Sequence, residues 1–309
     1  MSASRNDDPT GVHRCSMRRW PAAYYNSMRM MSRLAAVLLA LGCVLTPSQW
    51  PVRAVAASPM HWMLSRYVLD AFRSDPAATK VFSGAETFLI VQPEHDARVP
   101  AGWHSTPTVS YRSYAALEQA FADGSAPKAG AIMYDNEKWA FTPDNEKAEP
   151  AKYMQLAANL VHSHGLQFIS TPAMALSSIL RPGGGEIGDK YIALGIPRDA
   201  ARFADVIDIQ AQSLQFDVAA YTRIVTQAAQ QARAANPHVI VIAGITTGRD
   251  RPDGSPATAD DLLKVVQATR GVVDGYWLNV PAKGKDCPQC TDFRPELALD
   301  FLHRLDTSP

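Results

Sequence analysis

Cysteine is scarce in this chain, with four in 309 residues, and acidic and basic residues balance at 30 each. No apolar run approaches the ~20 residues that a membrane-spanning helix needs. No G-x-S-x-G elbow is present, which argues against an ordinary serine hydrolase. The Gly-rich stretch "RPGGGEIGD" (181–189) matches neither G-x-G-x-x-G after a strand nor G-x-x-x-x-G-K, and reads as a flexible loop. No Lys/Arg stripe runs along any segment, so a nucleic-acid partner is not expected. No internal repeat or low-complexity tract appears.

The first fifth of the chain does not read as fold. Residues 1–27 lack periodicity and read as a disordered leader, as an unused upstream start would produce. Residues 28–57 read as a signal peptide. Arg29 and Arg33 form its charged start, Leu34 to Leu45 its apolar centre, and Ala54-Val55-Ala56 a small-x-small cleavage site. A retained anchor and a lipid anchor are the rival readings. Cys43 in "ALGC" would carry the lipid, but Ala40 stands where a bacterial attachment box usually has Leu. The expectation is a secreted protein, extracellular or cell-wall associated, with no stable membrane insertion once the signal is removed.

Seven Arg and two Asp lie within residues 1–56, which leaves 23 basic and 28 acidic residues in the mature part. About 250 residues suit one α/β domain, 58–309. The two remaining cysteines, Cys287 and Cys290 in "KDCPQCTD", are expected to form a local disulfide in an exported protein. Metal binding with a distant His and free thiols stay open as alternatives. No cofactor is expected.

After a segment that reads as an amphipathic helix, "MHWMLSRYVLDAFRSD", six apolar strand-like runs alternate with helical ones. The strand runs are "TFLIVQP", "GAIMYDNE", "LQFISTPA", "ADVIDIQAQ", "VIVIAGITTG" and "VDGYWLNVP". Such alternation implies a parallel sheet with right-handed crossovers, either a barrel or an open doubly wound sheet. Side-chain alternation favours the barrel. One strand face carries Ala131, Met133, Asp135 and Glu137; another Val206, Asp208, Gln210 and Gln212; a third Gly275, Trp277 and Asn279. Each turns from core to polar toward its C-terminal end, as a barrel interior does beneath a reactive rim. The expected class is therefore a TIM-type (β/α) barrel. Six units are evident, so two strands lie hidden in 174–203 or before Thr87, or the barrel is incomplete or irregular.

In a barrel those ends converge on one mouth. Asp135 and Glu137 are the candidate catalytic pair, because two carboxylates on one face drive their pKa values apart. Gln92, Tyr134, Gln210, Gln212, Trp277 and Asn279 are the candidate substrate-binding residues; amides bond hydroxyls in both directions, and Trp277 offers a flat apolar face. The competing reading pairs both acids with Lys138 or Lys147 as solvated strand ends. His95 and His104 fall in the loop at the mouth. His162 and His164 fall at the opposite end, and no metal site is expected. Arg249 and Arg251 in "TTGRDRPDGS" either reach an anionic substrate or occupy an exposed turn.

The strand end Asp135-Asn136-Glu137 resembles the catalytic strand of chitinase-type barrel glycosidases, and Trp277 is similar to the Trp floor of their sites. The resemblance implies Glu137 as proton donor and Asp135 as the residue that steers an N-acetyl group of the substrate, in a substrate-assisted mechanism. The family's fuller pattern, Asp-x-x-Asp-x-Asp-x-Glu, meets Gly130 and Met133 here in place of two acids. The expected function is a secreted hydrolase of a glycan or glycoconjugate. A non-catalytic carbohydrate- or cell-wall-binding barrel is the alternative, and a small-molecule lyase or isomerase a third reading.

Overall fold

The two faces of each strand meet different surroundings, and this division organises the molecule. The computed structural model describes residues 59–307 except 73, 96 and 286. The leader, signal segment and Cys43 considered above lie outside the described residues. Eight parallel strands close into a barrel in chain order: β1 (His61–Ser65), β2 (Thr87–Val91), β3 (Thr106–Tyr111), β4 (Ala131–Tyr134), β5 (Gln167–Ser170), β6 (Val206–Ile209), β7 (Ile240–Thr246) and β8 (Gly275–Asn279). Pairing of β1 with β8, through His61 opposite Gly275 and Met63 opposite Trp277, closes the ring. This is a complete TIM-type (β/α) barrel.

Inward positions form a small core of Met63, Phe88, Ile90, Ala131, Met133, Ile169, Val206, Ile242 and Trp277. The intervening outward residues, such as Trp62, Leu64, Ile132, Phe168 and Ile207, join a larger core shared with the helices. Burial on both faces accounts for the near-continuous apolar runs of the strands. The helices start and stop where local chemistry dictates. Pro150 sits in the first turn of Pro150–Ser163, and Gly165 after its end takes a positive φ of 70°. Asp217 caps Val218–Ala235 by accepting from Ala220 N, and Thr258 forms a capping box with Asp261 at Ala259–Thr269.

Two of the eight strands depart from the sequence expectation. The segment read as a helix from Met60 begins instead as β1, followed by a 3₁₀ turn and the short helix Leu69–Phe72. Trp62 and Leu64 face the helices while Met63 faces the barrel, so buried residues occur consecutively and mimic a helical stripe. The other missed strand, β3, lies in the segment read as a polar loop. Its inward residues are Thr108 and Ser110, both buried, so hydropathy does not reveal it. Residues 174–203, the other place expected to hide a strand, are helical, with Ile187–Ala193 and Ile196–Ala201 as the longest pieces.

The β1–β8 seam has no room for a side chain at Gly275, where a Cβ would overlap the carbonyl of His61. Overpacking against backbone cannot be relieved by a rotamer change. Gly275→Ala is expected to destabilise the barrel by about 1–3 kcal/mol or more. Urea unfolding measures this; an unchanged midpoint would show that the seam is not tight.

Candidate active site at the barrel mouth

β4 delivers Asp135 to the C-terminal mouth, and the ladder continues one residue beyond the strand because Asp135 N donates to Tyr111 O at 2.8 Å. Asp135 is 6% exposed and Glu137 half-buried. Both line a cavity of about 380 Å³ together with Gln210, Gln212, Trp277 and Asn279. Six of the eight residues singled out in the sequence therefore surround one space. Gln92 lies at the mouth too, but lines an adjoining cavity of about 780 Å³. Tyr134 must be corrected. It shares the outward face of β4 with Ile132, is fully buried, and lines neither cavity.

Tyr134 has a structural task instead. Its hydroxyl donates to Glu146 Oε2 at 2.7 Å and accepts from Asn136 Nδ2 at 2.9 Å. Glu146, 1% exposed, also accepts from the backbone N–H groups of Tyr114 (2.7 Å) and Ala115 (3.1 Å), the first residues of the helix Tyr114–Ala122. An anionic acceptor at a helix N-terminus suits the dipole and the free N–H groups there. One buried carboxylate thus ties the helix after β3 to the outer face of β4, three residues before Glu137.

Asp135 is held on its other side. Thr171 Oγ1 donates to Asp135 Oδ1 at 2.8 Å, and Gln210 Nε2 donates to the same oxygen at 3.1 Å and to Thr171 O at 2.7 Å. Lys138 bonds Ser178, and Lys147 bonds Asp144 and Trp139 O. Neither lysine takes up the two acids, so the solvated-pair reading does not hold. Arg112, immediately after β3, stacks over Trp139 and Phe141 at 5.2 and 4.5 Å.

Burial pushes Asp135 up to about 6, opposed by the Thr171 hydrogen bond, the Arg112 charge and Gln210. Glu137 is pushed up to about 8, first by burial and then by the Asp135 charge, against Gln210 and Arg112. A third acid escaped the sequence candidates. Asp208 on β6 is fully buried, points inward between Val206 and Gln210, and neither of its side-chain oxygens has a hydrogen-bond partner. Burial raises its pKa well above the usual range, with further contributions from Asp135 and Glu137. The signal was present in "VIDIQ": Asp is the one charged residue in that run, on the inward parity. Arg112, Trp139 and Glu146 carried no comparable signal: Arg112 follows a strand that hydropathy does not show, Trp139 lies in the loop after β4, and Glu146 sits in the short helix Asp144–Ala148 among exposed charges.

Gly244 on β7 lets Gln212 enter the mouth; a Cβ there would strike the Gln212 amide. Cys287 and Cys290 form the expected disulfide, with Cα atoms 5.3 Å apart, and both line the acid cavity. His162 bonds Asp205 at 2.9 Å at the far end of the barrel, where β6 begins, away from the acids. Among the described residues, no group of three or more His, Cys, Asp or Glu is placed to hold a metal ion.

No protein-family model matches the chain, and no curated protein matches it. Solved structures similar to it include an active-site mutant of Rhizomucor miehei β-1,3-glucanosyltransferase in complex with laminaritriose. The two share 11% identity over 56% of this chain and 66% of that one, with a TM-score of 0.33. Bee venom hyaluronidase with a hyaluronic acid tetramer is 11% identical over 80% of this chain and 96% of that one, TM-score 0.41. The carboxyl transferase domain of Rhizobium etli pyruvate carboxylase with pyruvate is 12% identical over 81% and 40%, TM-score 0.36. The chain spans about two thirds of the glucanosyltransferase's length. Glycan-acting enzymes and a carboxyl transferase thus appear together, and no activity passes from any of them to this chain. The barrel is read from its own strand order.

Asp208 gives a pH prediction. Its folded pKa lies above its unfolded value near 4, so the folded state holds a proton that the unfolded state releases. That contribution to stability is full below about pH 4 and is lost as pH rises toward the folded pKa. Asp208→Asn is therefore expected to be more stable than wild type at pH 7, with the difference shrinking toward pH 4. Thermal melts across that range decide it; a difference independent of pH would mean that Asp208 is ionised in the fold.

Proposed function

We propose that the protein is an exported hydrolase of glycans or glycoconjugates, with Glu137 as general acid and Asp135 as its charged helper. One observation carries the reading: two carboxyl groups share a cavity, and their surroundings separate their proton affinities on either side of neutrality. Near pH 7 Asp135 is ionised and Glu137 keeps its proton, which is the division of labour that glycosidic cleavage requires. Glu137 delivers its proton to the glycosidic oxygen as the bond to the anomeric carbon breaks. The negative charge of Asp135 supports the positive charge developing at the sugar, or orients an N-acetyl group that does so. Water then adds its hydroxyl to the anomeric carbon and returns a proton to Glu137. Gln210 and Asn279 offer amides to sugar hydroxyls, and Trp277 offers its ring.

Export after cleavage near Ala57 belongs to the same proposal. The Cys287–Cys290 disulfide supports it. A non-catalytic carbohydrate binder is the second reading, favoured by Gly130 and by Met133, which points into the barrel core where the chitinase-type pattern has an acid.

Glu137→Gln is expected to lower kcat/KM at least ~10²-fold on any glycan the wild type cleaves, with an unchanged unfolding midpoint. The wild-type profile of kcat/KM should be bell-shaped, rising as Asp135 ionises at about 6 and falling as Glu137 ionises at about 8. Turnover unaffected by Glu137→Gln would end the acid assignment. Binding of a glycan array without product in mass spectra would favour the binder.

A further inference from the structure

The larger cavity, about 780 Å³, is not used by the chemistry proposed above. It opens on the β1–β3 side of the mouth and shares two wall residues, Pro281 and Cys287, with the acid cavity. Both cavities fall in the range that encloses a drug-sized ligand, ~300–1,000 Å³, so together they hold more than one sugar ring. Their linings differ in charge. The acid cavity holds Asp135 and Glu137 with Arg249 as its cation, whereas the larger one is lined by Arg66, Arg112, Lys283 and Lys285 against Asp70 and Glu94 among its described residues. Lys283 and Lys285 are exposed on the segment that leads into the disulfide, and Lys283 N donates to Thr291 O at 2.9 Å, which ties the start of that segment to the residue after Cys290. At the same cavity Tyr67 is 53% exposed, with its ring 6.1 Å from the 38%-exposed ring of Phe293. Tyr67 is not loose: its hydroxyl donates to Val280 O at 2.7 Å, so a flat face is held ready.

We propose that this cavity is a second subsite, which takes the continuation of an acidic glycan chain. Carboxylates of the chain face Lys283 and Lys285, one ring lies on Tyr67, and the chain passes Pro281 and Cys287 to present a bond at Glu137. The inference rests on the reading of Glu137 as the reacting end, and it adds to that reading a chain longer than one sugar and a charged substrate class. Wild-type acids beside the reacting bond make the separation of charge useful, because the substrate's own carboxylates are drawn to the side away from Asp135.

Isothermal titration with hexagalacturonate, a hyaluronan hexamer and neutral chitohexaose tests it, using the full mature chain carrying Glu137→Gln to prevent turnover. At least one acidic hexamer is expected to bind tenfold or more tightly than chitohexaose, with affinity falling as salt rises. Adding Lys283→Glu and Lys285→Glu is expected to weaken that hexamer at least tenfold and to flatten its salt dependence. Both lysines are exposed, so the unfolding midpoint should stay in place. Equal or better binding of chitohexaose, indifference to the two charge reversals, or no binding of either acidic hexamer at millimolar concentration would overturn the subsite. Lysine-dependent binding by a protein whose wild type forms no product would leave the subsite standing and remove the catalytic reading. Product formation with binding indifferent to the lysines would do the reverse.

Discussion

Three carboxyl groups share the upper interior of one barrel, where burial makes it costly for them to ionise together. Asp208 is sealed, Asp135 nearly so, and Glu137 stands half-open above them. In such a medium each negative charge makes the next more costly. Hydrogen bonding favours charge on one of the three. Asp135 has Thr171 and Gln210 donating to it, so it ionises first. Asp208 has no donor and burial holds its pKa well above the usual carboxylate range, while Glu137 feels whatever charge Asp135 carries. The acid–base character of the mouth follows from this sequence of ionisations before any substrate is considered.

That order depends on positions held from outside the barrel. Glu146 is a buried anion that works as a fastener. It takes two N–H groups from the start of one helix and the hydroxyl of Tyr134 from β4. Charge-assisted hydrogen bonds of this kind are roughly twice as strong as neutral ones. The strand end therefore has a fixed exit, and Asn136, bonded to Tyr134, points into the fastener while its neighbours Asp135 and Glu137 line the cavity. Alternation between an outward anchor and inward acids explains why two carboxylates two residues apart can share one cavity.

Legibility followed the same alternation. Asp135, Glu137, Gln210, Trp277 and Asn279 were readable because a period of two, combined with strands feeding helices, sends one face of every strand end to a common mouth. Applied strictly, that period also separates Tyr134 from Asp135, and the Tyr134 side chain faces the helices. β1 hid because both its faces are buried, and β3 because its inward face is Thr108 and Ser110. With β3 hidden, Arg112 had no address, although it sits beside the acids and tempers both. Glu146 was unreadable for a different reason. Nothing local distinguishes it from the solvated carboxylates around it in "DNEKAE"; long-range contacts alone bury it.

Gly244 shows how little material decides the form of the mouth. Gln212 occupies the volume that any other residue at 244 would claim. The depth of the acid cavity is therefore set by a missing atom. In an evolving lineage, one methyl group at that point would evict an amide from the floor and reshape the cavity, with every carboxyl group left in place. A change of substrate need not begin among the residues that touch it.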